Sequence, residues 1–167
     1  MKKIIIGADH AGFDLKEAIK SYLAEAGWEV VDKGTYNHSS VDYADFGGPV
    51  AMAVSTGSFS RGILVCGSGV GMAILANKFP GVRAALCLDE EMACLSRSHN
   101  DTNVLVLAGR RTDVKTAAAI VKGWLSTAFE GGRHQQRLEK IRQWEQKICQ
   151  KEIFYGPVNN EIQEEKP

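Results

Sequence analysis

Apolar residues in this chain fall in short unbroken runs that alternate with stretches spaced for one face of a helix. "KKIIIGADH" predicts a buried strand ending in a polar turn. Leu15, Ala18, Ile19, Tyr22, Leu23 and Ala26 follow at helical spacing, and Gly27 closes that helix. "WEVVDKG" predicts a second strand, and Val50, Ala51, Ala53 and Val54 mark a helix within 45–56. "GILVCG", "VRAALCL" and "NVLVLAG" predict further strands, separated by helices over "MAILANKF" and "EEMACLSRS". "DVKTAAAIVKGWL" predicts a helix with Val114, Ala117, Ala118, Val121, Trp124 and Leu125 inward, broken at "EGGRH". A last helix over 134–150 carries Leu138, Ile141, Trp144 and Ile148 on one side at nearly seven-residue repeats, a stripe suited to reaching a second subunit. The stretch 151–167 has no periodicity and reads as an irregular tail behind a single domain over 1–150.

Strands that are apolar throughout, rather than at alternate positions, are buried on both faces. The pattern therefore predicts an α/β fold, a doubly wound, Rossmann-like, five-stranded parallel sheet. Ligands of such sheets sit beyond the carboxyl ends of the strands. That edge gathers Asp9 and His10, the turn 66–71, and Gly109 to Arg111. His99 lies in the polar run "SRSHNDTN" between the fourth helix and the fifth strand, which places it on the amino edge, positioned to serve a neighbour's site.

Composition narrows the class. The chain has 167 residues, 44% hydrophobic and 24% charged, and no apolar run approaches the ~20 residues of a membrane span. Twenty Lys+Arg balance twenty Asp+Glu, which argues against nucleic acid or an anionic membrane as partner and leaves any anion site local. The apolar run before Gly7 is too short for a signal peptide, so a cytoplasmic protein is expected. Cys66, Cys87, Cys94 and Cys149 show no metal-ligand or disulfide spacing, and Cys87 and Cys94 read as small buried hydrophobes.

The segment "ILVCGSGVGM" carries the chemistry. Its GxGxG spacing matches neither a dinucleotide fingerprint nor a P-loop, and the GxSxG nucleophile elbow is excluded because Cys66 stands two positions before Ser68. The amides of Gly67, Ser68, Gly69, Val70 and Gly71 are able to converge on one negative charge, unless the turn is merely a tight strand-to-helix connection. A thiol beside such amides is a candidate base or nucleophile. Arg133 and Arg137, four apart on one helix, form either a clamp for a phosphate or carboxylate or an ordinary solvated face.

Taken together, "GADHAGFDLK", "DKGT", "DYADF", "GILVCGSGVGMAILANKFPGVRAAL", "LSRSHNDTNVLVLAGR" and "EGGRHQQR" resemble the ribose-5-phosphate isomerase B (RpiB/LacAB) family of sugar-phosphate isomerases over about residues 1–150. The resemblance implies interconversion of ribose 5-phosphate and ribulose 5-phosphate through a cis-enediolate, with no metal or organic cofactor. By similarity Cys66 is the base, and the 67–71 amides with the Ser68 hydroxyl stabilise the enediolate. His99 opens the sugar ring and Asp9 holds sugar hydroxyls. His10, Arg133 and Arg137 clamp the phosphate, Asn100 and Arg110 match further ligand contacts, and Tyr43 lines the pocket. It also implies a homodimer or homotetramer with sites shared between subunits. Some members place a glutamate base where this chain has Met72, which cannot take a proton, and a threonine where it has Ser68. Close alternatives are an isomerase of another sugar phosphate, such as a galactose, allose or tetrulose phosphate, and a non-catalytic sugar-phosphate sensor.

Overall fold

The computed structural model describes residues 2–150, so the tail reading for 151–167 lies outside the described residues. The elements run β1 (Lys2–Ala8), α1 (Phe13–Glu25), β2 (Trp28–Asp32), α2 (Tyr43–Ser55), β3 (Gly62–Cys66), α3 (Val70–Ala76), β4 (Ala84–Leu86), α4 (Glu90–Asn100), β5 (Val104–Ala108), α5 (Val114–Ser126) and α6 (Arg133–Gln150). All strand pairs are parallel, and the sheet order is β2-β1-β3-β5-β4.

Burial explains why the apolar runs became strands. Every residue of β3 and β5 is buried, so both faces of the central strands must be covered. Leu15, Ile19 and Leu23 of α1, Ala93 of α4 and Ala117, Ile120, Val121 and Trp124 of α5 pack with one face; Val50, Ala51 and Val54 of α2 and Met72 and Ala76 of α3 pack with the other. Val114, expected inward, begins α5 exposed, and Ile120 takes the core position instead. Helix α4 runs on through His99 and Asn100, which the sequence placed in a loop. Its C-cap, Asp101 at φ 44°, is braced by Arg97 Nη1 and Arg83 Nη2, each 2.8 Å from an Asp101 carboxylate oxygen. Cys87 is buried, and burial pushes its thiol up to about 11; Cys94, by contrast, is only half-buried.

The strand order makes a switch point: β1 leads outward to β2, while β3 lies on the other side of β1. At such a point the loops leaving neighbouring strands diverge and open a crevice at their carboxyl ends.

An ion-pair cluster fixes α1 against β2 beside that edge. The fully buried Lys16 donates to Asp32 Oδ2 at 2.6 Å, Lys20 donates to the same oxygen at 2.6 Å, and the Gly34 N–H donates to Asp32 Oδ1 at 2.8 Å. Burial alone would raise the Asp32 carboxyl, but these hydrogen bonds outweigh it and hold the group below its ordinary range. A carboxyl held low in the folded state contributes stability above the ordinary value of about 3.9 and loses it as pH falls through the folded value. Thermal melts between pH 6 and pH 3 are therefore expected to fall more steeply for the wild type than for Asp32→Asn. Parallel curves would contradict this.

Candidate active site

Strand β3 delivers Cys66 to the carboxyl edge, and Gly69 turns the chain back at φ 79°, where a side chain would strike Leu86. That turn aims the Gly69 N–H at Cys66 Sγ, 3.2 Å away, so the buried sulfur has a backbone dipole directed at it. The Val70 N–H faces Ser68 Oγ at 3.3 Å. A Cβ on Gly71 would lie 2.8 Å from the Tyr43 ring; without one, the turn packs against the first residue of α2. The sequence placed helix α3 from Met72; it begins at Val70, so the glycine turn and the first helical turn are one unit.

The loop after β1 supplies the facing wall. Asp9 is buried, with its Oδ1 accepting from the Gly12 N–H at 2.9 Å, and His10 Nδ1 lies 3.2 Å from the backbone of Val41. From β5, the Gly109 and Arg110 amides donate to the carbonyls of Cys66 and Gly67 at 2.8 and 3.1 Å, which holds Arg110 over the glycine turn. The result is a cleft of about 300 Å³ lined by Asp9, His10, Tyr43, Cys66, Ser68 and Arg110, with Ala11, Gly67 and Gly71 completing it. Ala11 is a wall that no sequence signal marks. Asp9, His10, Gly67, Ser68, Gly71 and Arg110 thus meet around Cys66, with Gly69 and Val70 in the same turn.

The other expected residues lie elsewhere. His99 and Asn100 end α4, and Arg133 and Arg137 start α6 one turn apart. They belong to the amino edge, because α4 re-enters the sheet through the short 101–103 segment at the start of β5, while Cys66 pairs with Ala108 at the end of β5. Five residues of strand separate those levels, about 16 Å at 3.3 Å per residue. Within one chain the cleft and its turn therefore hold all but four of the expected residues, and His99, Asn100, Arg133 and Arg137 lie away from it. Near His99 the structure adds two groups the sequence reading passed over, Glu130 and the buried His134, although His134 stands next to Arg133 in "GGRHQQR".

Such an arrangement, a base-capable sulfur among amide donors and hydroxyl-binding groups, suits proton transfer next to a carbonyl. Comparison with known proteins narrows the class. Residues 4–141 match the model of the Ribose/Galactose Isomerase family. The chain is 50% identical over 147 residues to ribose-5-phosphate isomerase B of Escherichia coli, spanning 88% of this chain and 99% of that one. Ribose-5-phosphate isomerase B of Clostridium thermocellum superposes with a TM-score of 0.85 at 49% identity, over 87% of this chain and 99% of the other. The Mycoplasma genitalium enzyme, solved with bound ribulose-5-phosphate, superposes at 0.83 with 42% identity, over 86% and 96%. With its sheet and nearly the full length of these relatives in common, the chain belongs to the ribose/galactose isomerase family.

Proposed function

We propose that this protein is a cytoplasmic aldose–ketose isomerase that interconverts ribose 5-phosphate and ribulose 5-phosphate. The observation that carries the chemistry is the Cys66 sulfur under the Gly69 amide at the floor of the cleft. The choice of sugar rests on the relatives' activity and on the bound ribulose-5-phosphate of the Mycoplasma enzyme.

The proposed reaction gives each of these groups the role its family resemblance implies. Protonation of the furanose ring oxygen by His99, with loss of the anomeric hydroxyl proton, breaks the ring C–O bond and frees the aldehyde. The Cys66 thiolate then takes the C2 proton. That electron pair forms the C1–C2 double bond, and negative charge moves to O1, where the amides of the 67–71 turn and the Ser68 hydroxyl receive it. Transfer of the O2 proton to O1, with return of the proton from Cys66 to C1, regenerates the thiolate and completes the ketose. Asp9 holds sugar hydroxyls at the cleft wall, and Arg110 covers the turn.

His99, Asn100, Arg133 and Arg137 enter the site from a second copy of the chain. The strand-length separation within one chain supports this, as does the exposed stripe of Ile141, Trp144 and Ile148 on α6, which is 53 to 65% exposed. Helix α6 then reaches the neighbour, and the assembly is a homodimer or a homotetramer built from it.

Arg133 and Arg137, both exposed at the start of α6, clamp the phosphate together with His10. Arg137→Ala is expected to raise the KM for ribose 5-phosphate roughly tenfold or more, with a smaller change in kcat, since a hydrogen bond to a charged group is being removed. An unchanged KM would take Arg137 out of the clamp. Turnover across aldose phosphates of four to six carbons tests the sugar assignment: a preference for ribose 5-phosphate is expected, and a preference for a hexose phosphate would overturn it.

A further inference from the structure

Two imidazoles and a carboxylate meet where α4 ends and α6 begins. The rings of His99 and His134 stack with centroids 4.2 Å apart and planes 5° from parallel. Glu130 Oε2 lies 4.0 Å from His99 Nε2 and 3.8 Å from His134 Nε2, and the Glu130 backbone N–H donates to the Ser98 carbonyl at 3.0 Å. The loop that carries the carboxylate is therefore registered on the helix that carries His99. The two rings are not equivalent. The His134 side chain is 6% exposed and that of His99 is 37% exposed, so one forms the floor beneath the other.

We infer that His134 and Glu130 are positioning residues for His99: the buried ring fixes the plane of the outer imidazole, and the carboxylate, facing the Nε2 atoms of both rings, fixes how that imidazole is turned. Burial first, then His99, Arg133 and Arg137, hold His134 below the ordinary imidazole range, against the pull of Glu130. These are the charged groups around the ring, from α4, from α6 and from the 127–132 connection, and on balance they disfavour the protonated form of His134. The same three side chains are a donor set that a metal ion could use. However, nitrogen lone pairs lie in the ring plane, and two parallel stacked rings direct them side by side rather than at one point.

The inference rests on the reading of His99 as the ring-opening acid, and the substrate itself separates the two. Ribulose 5-phosphate has its 5-oxygen esterified and forms no furanose ring, so exchange of its C1 proton with solvent needs the base but not ring opening. Glu130→Gln and His134→Ala are each expected to lower turnover of ribose 5-phosphate about tenfold, a fraction of what a general acid contributes. Both variants are expected to leave C1 exchange in ribulose 5-phosphate within about twofold of wild type. His134→Phe, which retains a ring for the stack, is expected to recover most of the turnover lost in His134→Ala. Glu130 is exposed, so its variant tests the idea even if His134→Ala folds poorly. Equal loss of both rates in Glu130→Gln, or loss of neither, overturns the positioning role alone. A wild-type protein that exchanges no C1 proton overturns the isomerase reading, and this inference with it.

Discussion

Cys66→Ala is expected to lower isomerisation of ribose 5-phosphate by at least about a thousandfold while leaving phosphate-analogue binding close to wild type, within the range that a general base supplies. The reason is geometric. Cys66 ends β3 on the cleft floor, and the side chain that follows the turn, Met72, is buried and has no proton-accepting group to take its place. The residues read as holding phosphate lie on other elements: His10 after β1, and Arg133 and Arg137 on α6. Binding therefore survives loss of the sulfur. The cost to the fold is small, on the order of 1 kcal/mol for removing one buried atom. Cys66→Ser keeps a hydroxyl far less acidic than a thiol, so it is expected to be nearly as inactive. Wild-type-like turnover in the alanine variant would exclude Cys66 as the base.

Mixing two inactive variants is expected to restore activity. Cys66→Ala damages the cleft of its own chain, and His99→Asn damages what that chain lends to its neighbour. In a mixed dimer one site carries both lesions and the other carries neither. Random reassortment into dimers makes half of the population mixed, with one intact site in two, so recovery approaches about a quarter of wild-type activity. A chain that supplied its own His99 would recover nothing on mixing. The strand-length gap between Cys66 and the 101–103 segment is the observation that argues for the proposed exchange of His99 between subunits.

Much of this was legible in the sequence because parallel strands buried on both faces leave an unmistakable apolar run. "GILVCG" brought Cys66 to the carboxyl edge, and β3 ends on that residue. Chain direction alone put His99 on the opposite edge, since a helix returning to a parallel strand enters at its amino end. The strand order, with β5 between β3 and β4, was not legible, because periodicity says nothing about which strands are neighbours. Nor was the last turn of α4: "SRSHND" is polar enough to read as a loop, and Arg97 within the stretch and Arg83 from outside it brace Asp101 at the end of the helix. Val114 misled for a related reason, since the first residue of a helix has no preceding turn to fix its facing. The stack of His134 on His99 joins two helices far apart in sequence, and a single histidine in "GGRHQQR" gives no sign of it.

An isomerase moves a proton between the first two carbons of its sugar phosphate, whereas a sensor only holds the molecule. Incubation of the wild-type protein with ribose 5-phosphate in deuterium oxide, followed by analysis of the recovered aldose, separates the two most directly. Deuterium at C2 is the predicted result, because the Cys66 thiol exchanges its proton with solvent between taking one from carbon and returning one. A protein that binds ribose 5-phosphate and returns it with no label at C2 would contradict the account.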